Sequence, residues 1–285
     1  MNNIIVKTPY NLNELVEYLK CADKNTHLLS GGTDLVIEMR NNPLFNGTIV
    51  DVKGVKELNY IRIEDDLIKI GANTTFTEIA ENDTIKKYAS ALSEAASNVG
   101  STQIRNVATL AGNVANCAAA ADAIPALIAL DAEIKIVNGE GKIAIKEVEK
   151  ILKMLKRDEA IIEIIIPLRK NCISAFAKIG SRSRVTIAKL NIAVCVNCTE
   201  KINSAVLAVG SLGPIAHRLK SCEKVLLNEQ PSIELLAKFK ERLAAEVNLE
   251  IPGRASLPYK REAIVGLCED VFYLLFPKTR GDKVD

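Results

Sequence analysis

This chain has few groups able to do chemistry unaided. Its distinctive features are two bends poor in side chains. The run from Thr109 reads Thr-Leu-Ala-Gly-Asn-Val-Ala-Asn-Cys, then four alanines, Ala118 to Ala121, then Asp122 and an apolar segment reaching Leu130. Asp122 is the one charged side chain between Thr109 and Leu127. Small residues at this density let a backbone come close to something flat or bulky. Gly112 can take positive φ without strain, and N–H groups left free at a helix start favour an anion. A tightly packed internal helix is the competing reading. The second bend lies in His27-Leu-Leu-Ser-Gly-Gly-Thr-Asp-Leu-Val-Ile-Glu-Met-Arg40: a short apolar strand, a Gly31-Gly32 turn, and a helix started by Thr33 or Asp34. Strand, glycine turn and helix N-terminus form the layout of a phosphate cradle. Neither bend has the lysine of a Walker loop, so the pair suggests a pyrophosphate gripped from two sides.

Other reactive residues fit ordinary roles. Cys195 and Cys198 form a C-x-x-C, but at the end of an alternating strand residues three apart point to opposite faces. With no second pair and no nearby histidine, this is a poor metal or redox site. His27 precedes an apolar strand and His217 sits beside Arg218; both read as structural. The alanines around Cys117 suggest a small hydrophobe rather than an activated thiolate. Lys178, between Phe176 and Gly180, reads from the residues alone as an exposed strand lysine. No catalytic acid, base or nucleophile and no metal site emerges. Gly139, Gly141 and Ala144 match a permissive dinucleotide fingerprint, yet no helix follows, and Asn138-Gly139 between alternating apolar residues signals a hairpin.

The elements that must position the bends follow in order. Strands at 4–6, 48–50 and 67–71, with helices at about 13–21 and up to Arg40, alternate as in a small α/β subdomain. A helical pattern covers 76–99, and a polar connector, 100–106, leads to the central stretch. The hairpin 133–145 and a buried strand, 160–167, close the first half. Strands at 173–180, 190–198 and 205–210, with 201–203 in a connection, precede helices at about 232–247 and 259–276. Strands grouped before helices suggest an α+β unit. With 285 residues the chain can bury a large core. Its 37 basic and 35 acidic residues nearly cancel, which gives no electrostatic case for nucleic acid. No apolar run is long enough to span a bilayer, no signal peptide is evident, and seven cysteines argue for reduced thiols. A soluble, cytoplasmic protein is expected.

Ser30-Gly-Gly-Thr-Asp-Leu35, with Thr109-Leu-Ala-Gly-Asn113 and Asp122 nine residues later, resembles the FAD-binding (medium) subunit of molybdenum hydroxylases, the xanthine dehydrogenase and aerobic carbon monoxide dehydrogenase family. The likeness runs from Ile4 to about Phe276; Arg254-Ala-Ser and Tyr259-Lys260 carry it more weakly in the C-terminal part. The resemblance implies an α+β fold. Its FAD-binding domain, over 1–170, would have two subdomains (about 1–55 and 56–170) of the p-cresol methylhydroxylase/vanillyl-alcohol oxidase type. A C-terminal antiparallel sheet covered by helices would follow over 171–285.

It also implies non-covalent FAD, since neither bend contains a histidine. Amides of Ser30, Gly31, Gly32, Thr33 and Asp34 would take one side of the pyrophosphate, and those near Gly112 and Asn113 the other, with help from the Thr33 and Thr109 hydroxyls. Leu28, Leu29, Leu35 and Ile162 would wall the rings. By resemblance, Gly100 and Ile104 line the flavin pocket, Ile161 and Ile162 pack on the ring system, Asp122 accepts from a sugar or ribityl hydroxyl, and Lys178 lies near the flavin. Arg182 and Arg184 fall in the family's loop beside the ring. Ala111, where relatives more often have glycine, would crowd a phosphate if its φ were positive.

The implied function is that of an electron-transfer flavoprotein subunit. Electrons would leave a substrate at the molybdenum cofactor of a large subunit, pass two [2Fe–2S] clusters of a small subunit, and go through this subunit to NAD⁺ or another acceptor. Two rivals stand beside it. A self-contained FAD-dependent reductase of the same fold would act alone on a small substrate with NADPH. A non-redox scaffold would purify colourless.

Overall fold

Apolar runs alternating with amphipathic helices give the first fifty residues a parallel sheet, because parallel strands need crossovers and the helices supply them. Strands Ile4–Lys7, Gly47–Asp51 and Thr26–Leu29 lie in that spatial order, joined through helices Leu12–Lys20 and Leu35–Asn41. The first helix begins where Asn11 accepts from the Glu14 N–H, and it buries Leu15 and Leu19. The computed structural model describes residues 4–182 and 185–280, which fall into two compact units. The first comprises the residues up to Ile79, Ser101–Cys117 and Ala132–Pro167. The second comprises Ala80–Gly100, Ala118–Asp131 and the residues from Leu168 on.

The strand at 67–71 does not continue the parallel sheet, as the alternation had suggested. It belongs to a five-stranded antiparallel sheet in the order Ile61–Glu64, Leu67–Gly71, Glu159–Pro167, Glu133–Asn138, Ile143–Glu147. The edge strand Ile61–Glu64 was not anticipated. It turns back through Asp65 and Asp66, at φ +53° and +55°, a two-residue turn made without the usual glycine. The expected hairpin at 133–145 is present. Asn138 Oδ1 accepts from the Glu140 and Lys142 amides, and the left-handed position falls on Gly141, φ +74°. Ile68, Ile70, Ile134, Ile164 and Ile166 are fully buried in this sheet.

In the second unit an antiparallel sheet runs His217–Arg218, Ile202–Gly210, Leu190–Cys198, Cys172–Ile179. One face, with Ile192, Val194, Val196, Leu207 and Val209, shares a core with helices Ile233–Glu250 and Leu257–Leu275. Ile202 and Asn203, read as part of a connection, are in the strand. Helix Lys220–Leu226 was too short to stand out. The single helical pattern read at 76–99 is three helices, Phe76–Glu81, Asp83–Tyr88 and Ser90–Ser97. Asn82 interrupts the first two by capping the second through the Ile85 amide. The alanine-rich stretch likewise holds two helices. Leu110–Asn116 ends at Cys117, and Ala123–Ala129 is buried at every position, as the internal-helix reading had it. Among the described residues no helix is long and apolar enough to cross a membrane.

Candidate functional site

In the first unit the two bends touch. Ser30 Oγ lies 2.9 Å from Thr109 Oγ1 although 79 positions separate them. Gly31 packs so closely on the second bend that a Cβ there would sit 2.3 Å from Val107 O and 2.6 Å from Ala108 Cα. Only hydrogen fits. Gly32 takes φ +71°, open to glycine and strained for other residues. The second bend is held from behind: Leu110 N–H donates to Thr74 O and Phe76 N–H to Ala108 O. Buried Asn73 donates to Val52 O and Val55 O at 2.7 and 3.1 Å, and Ser30 Oγ donates to its Oδ1 at 3.4 Å. Asn73 had no place in the sequence reading; its one mark is an amide just past a buried strand.

The two bends differ in the donors they leave free. Helix Leu35–Asn41 starts at Asp34 without any side-chain cap. Val36 N–H already donates to Gly32 O at 3.2 Å, while among the described residues the amides from Gly31 to Leu35 have no partner and keep the partial positive charge of a helix start. Around it Leu28, Leu29, Ser30, Thr33 and Leu35 are half-buried. At the other bend Thr109 is itself the cap. Its Oγ1 accepts from Gly112 N–H at 3.2 Å, and its carbonyl accepts from Asn113 N–H at 3.0 Å. The two amides expected to face an anion are therefore already bonded. The left-handed residue of the stretch is Cys117, φ +48°, rather than Gly112, and Ala111 is a helical residue without positive φ. What this bend does offer is Asn113 Oδ1, buried and without a hydrogen-bond partner among the described residues. An orphaned buried acceptor is costly and calls for a donor. Replacing Thr109 with Val removes both the cap and the link to Ser30; a loss of about 1–2 kcal/mol is expected, read as a lower Tm of the FAD-free chain.

Ile104 sits in the short helix Thr102–Arg105, whose carbonyl takes the Ala108 amide ahead of the second bend. Ile161 and Ile162 occupy the central strand of the five-stranded sheet, where the register with Glu133–Asn138 slips. Glu163 pairs with Lys135 and Ile161 with Ile136, so Ile162 is the extra residue of a bulge. A bulge re-aims side chains that strict alternation would send to opposite faces.

The second unit contains Gly100, Asp122 and Lys178. Gly100 is left-handed at φ +46°. Lys178 is no exposed strand lysine: its side chain is 8% exposed, and Nζ lies 2.6 Å from Asp122 Oδ2, itself 7% exposed. Lys178 Nζ also donates to Asn98 O at 2.6 Å and Thr186 O at 3.3 Å, which uses all three ammonium donors. Asn191 Nδ2 donates to the other carboxylate oxygen at 3.0 Å. Burial pushes the Asp122 carboxyl above its ordinary value, against the opposing pull of Lys178 and Asn191. Asn191 was missed; it is a polar residue inside the apolar run Leu190-Asn-Ile-Ala-Val. As they stand, Asp122 and Lys178 satisfy each other, and the roles expected of them require that bond to open.

Arg182 Nε donates to Val185 O, and Arg184 lies outside the described residues. Cys195 is buried, and the register slips between Asn197 and Cys198, so the C-x-x-C is not a paired unit. The His27 ring packs on Phe45 at 4.7 Å, and His217 Nε2 lies 3.4 Å from Glu250.

Comparison with known proteins bears on these loops. Residues 2–169 match the family described as the FAD binding domain in molybdopterin dehydrogenase, and residues 175–274 the carbon monoxide dehydrogenase flavoprotein C-terminal domain. The nicotinate dehydrogenase FAD-subunit of Eubacterium barkeri is 31% identical over 264 residues, covering 89% of each chain. The xanthine dehydrogenase FAD-binding subunit of Escherichia coli is 28% identical over 262 residues, 86% of each. In fold, the chain superposes on a carbon monoxide dehydrogenase structure from Hydrogenophaga pseudoflava with a TM-score of 0.88, at 20% identity, over 97% of this chain and 98% of that one. The chain therefore belongs to the family of FAD-binding flavoprotein subunits of molybdopterin dehydrogenases, oxidoreductases whose cofactor on this subunit is FAD.

Proposed function

We propose that this chain is the electron-transfer subunit of a molybdenum hydroxylase assembly, placed between the [2Fe–2S] clusters of a small partner subunit and NAD⁺ or another acceptor. A large subunit would carry the molybdenum cofactor and choose the substrate. The observation that carries the reading is the joining of the two bends through Ser30, Gly31 and Thr109. They form one small-residue surface beside an uncapped helix start, the chemistry a diphosphate needs. FAD, when bound, would supply redox chemistry able to collect electrons singly and to pass them on as a pair or one at a time.

The chain's own residues bind and orient. The amides from Gly31 to Asp34 face the diphosphate charge, and the Thr33 hydroxyl adds a donor. Asn113 Oδ1 takes a hydroxyl or amide hydrogen of the cofactor, which resolves its unpaired state. Leu28, Leu29 and Leu35 exclude water from the rings, together with Ile104 and the bulged pair Ile161 and Ile162. No proton transfer by a side chain of this chain is required. The relatives named as FAD-subunits support the assembly.

The test is purification of the chain together with the chains that accompany it, followed by an absorption spectrum. A flavin band on this chain, with iron–sulfur absorption in an accompanying chain bleached by substrate, is the expected result. A flavin protein that is active alone on a small substrate, with no companion chain, would refute the assembly.

A further inference from the structure

We propose that the outer edge of strand Cys172–Ile179 is a docking groove for an extended segment of a partner subunit bearing a lysine or arginine side chain. This rests on the reading of the chain as one subunit of an assembly. The strand is terminal in its sheet and pairs on one side only. Along that side Ile179 O accepts from Lys189 N–H, so Ala175, Ala177 and Ile179 turn their main-chain groups toward strand Leu190–Cys198. By alternation, Ser174, Phe176 and Lys178 turn theirs outward.

The outward groups of Ser174 are covered. The Ser90 hydroxyl donates to Ser174 O at 2.5 Å, and the Ala91 amide donates to Ser174 Oγ at 3.0 Å. Two and four residues further on the cover stops. Among the described residues no hydrogen bond reaches the outward main chain of Phe176 or Lys178, and this stretch opens on a cavity of about 350 Å³. Folded proteins normally blunt such an edge, because it is a template for another strand. A groove that follows a strand edge takes main chain, and alternate side chains of the incoming segment then meet its walls.

Those walls define the side chain. Helix Ser90–Ser97 brings Glu94 to one side, and helix Leu257–Leu275 brings Asp270 to the other. Among the described residues neither carboxylate is in an ion pair, whereas Glu269, next to Asp270, is bonded to Lys240. Burial, and then the neighbouring Glu269, push the Asp270 carboxyl above its ordinary value; Arg280, whose guanidinium lies 5.4 Å from the Tyr273 ring centre, offsets this only in part. A basic side chain between Glu94 and Asp270 would complete the charge balance.

Amide hydrogen exchange on the full chain, alone and in the complex with its partner chains, tests this. The amides of Phe176 and Lys178 are expected to exchange about ten-fold more slowly in the complex, as ladder-bonded amides do. The variants E94Q/D270N and E94K/D270K are expected to lose partner chains progressively while keeping their FAD. A complex that forms with both amides unchanged, or that E94K/D270K leaves intact, overturns the groove and leaves the assembly standing. Absence of any complex overturns both.

Discussion

Gly31→Ala is expected to leave the purified chain without its flavin. The methyl group would lie 2.3 Å from Val107 O and 2.6 Å from Ala108 Cα, about 1 Å inside van der Waals contact, and both neighbours are main chain. No flexible side chain can give way, so the two bends must separate. Ser30 and Thr109 then lose their 2.9 Å contact. Overpacking of this kind costs about 3 kcal/mol. If the whole strain falls on the bound form, FAD affinity drops on the order of 100-fold. Fluorescence titration of FAD into the stripped protein measures it, and the flavin-to-protein ratio after gel filtration gives a quick reading. Gly266→Ala is the control: nothing lies within 4 Å of a Cβ there, and its affinity and ratio should not move. Stoichiometric FAD on Gly31→Ala would show that the diphosphate does not rest on the joined bends.

Lys178→Met is expected to cause the largest pH-dependent loss of stability. It leaves the Asp122 carboxylate buried with only Asn191 for company. Removing one partner of a buried ion pair typically costs about 3–5 kcal/mol. The sign with pH follows from the raised Asp122 carboxyl. Below the unfolded-state value of about 3.9 the group is protonated in both states, and its contribution is fully present. As pH rises from there toward the higher folded-state value, the native state holds its proton while the unfolded chain has released it, so stability falls, and the loss is complete once pH has passed through that value. Without Lys178 the folded value climbs further, so the fall is deeper and continues to higher pH. The Tm deficit of the variant should therefore be small near pH 4 and grow steadily to pH 8. Adding Asp122→Asn, which removes the charge, should recover most of it. A deficit independent of pH would mean that Lys178 contributes by packing alone.

Both bends were legible in the sequence because small residues at fixed spacing have few uses. The strand and helix beside the first were placed nearly to the residue, whereas helices Thr102–Arg105 and Leu110–Asn116 beside the second were not. Their contact was not legible. It depends on Asn73 and on the strand pair Thr75–Thr109, single residues with no local pattern. The status of the amides at Gly112 and Asn113 turned on one torsional choice, helix rather than open turn after Thr109, which Gly112 leaves open. The strand 67–71 was seen and assigned to the wrong sheet, since alternation reports burial and not the neighbouring strand. Its partner at 61–64 was hidden by an Asp-Asp turn. Lys178 was misjudged from its residues because its partner, Asp122, is 56 positions away.

The interleaving of the two units along the chain has a consequence for dissection and for exchange between genes. A polypeptide stopped at residue 169, where the FAD-domain match ends, would still carry helix Ala123–Ala129 but not the sheet beside it. Pro125 packs against Gly210, and Asn191 against Asp122, so both contacts lie beyond such a cut. An all-apolar surface would be laid bare, and insolubility, not an autonomous flavin module, is the natural outcome. Recombination between relatives at that point would meet the same barrier, which favours inheritance of the subunit as a whole.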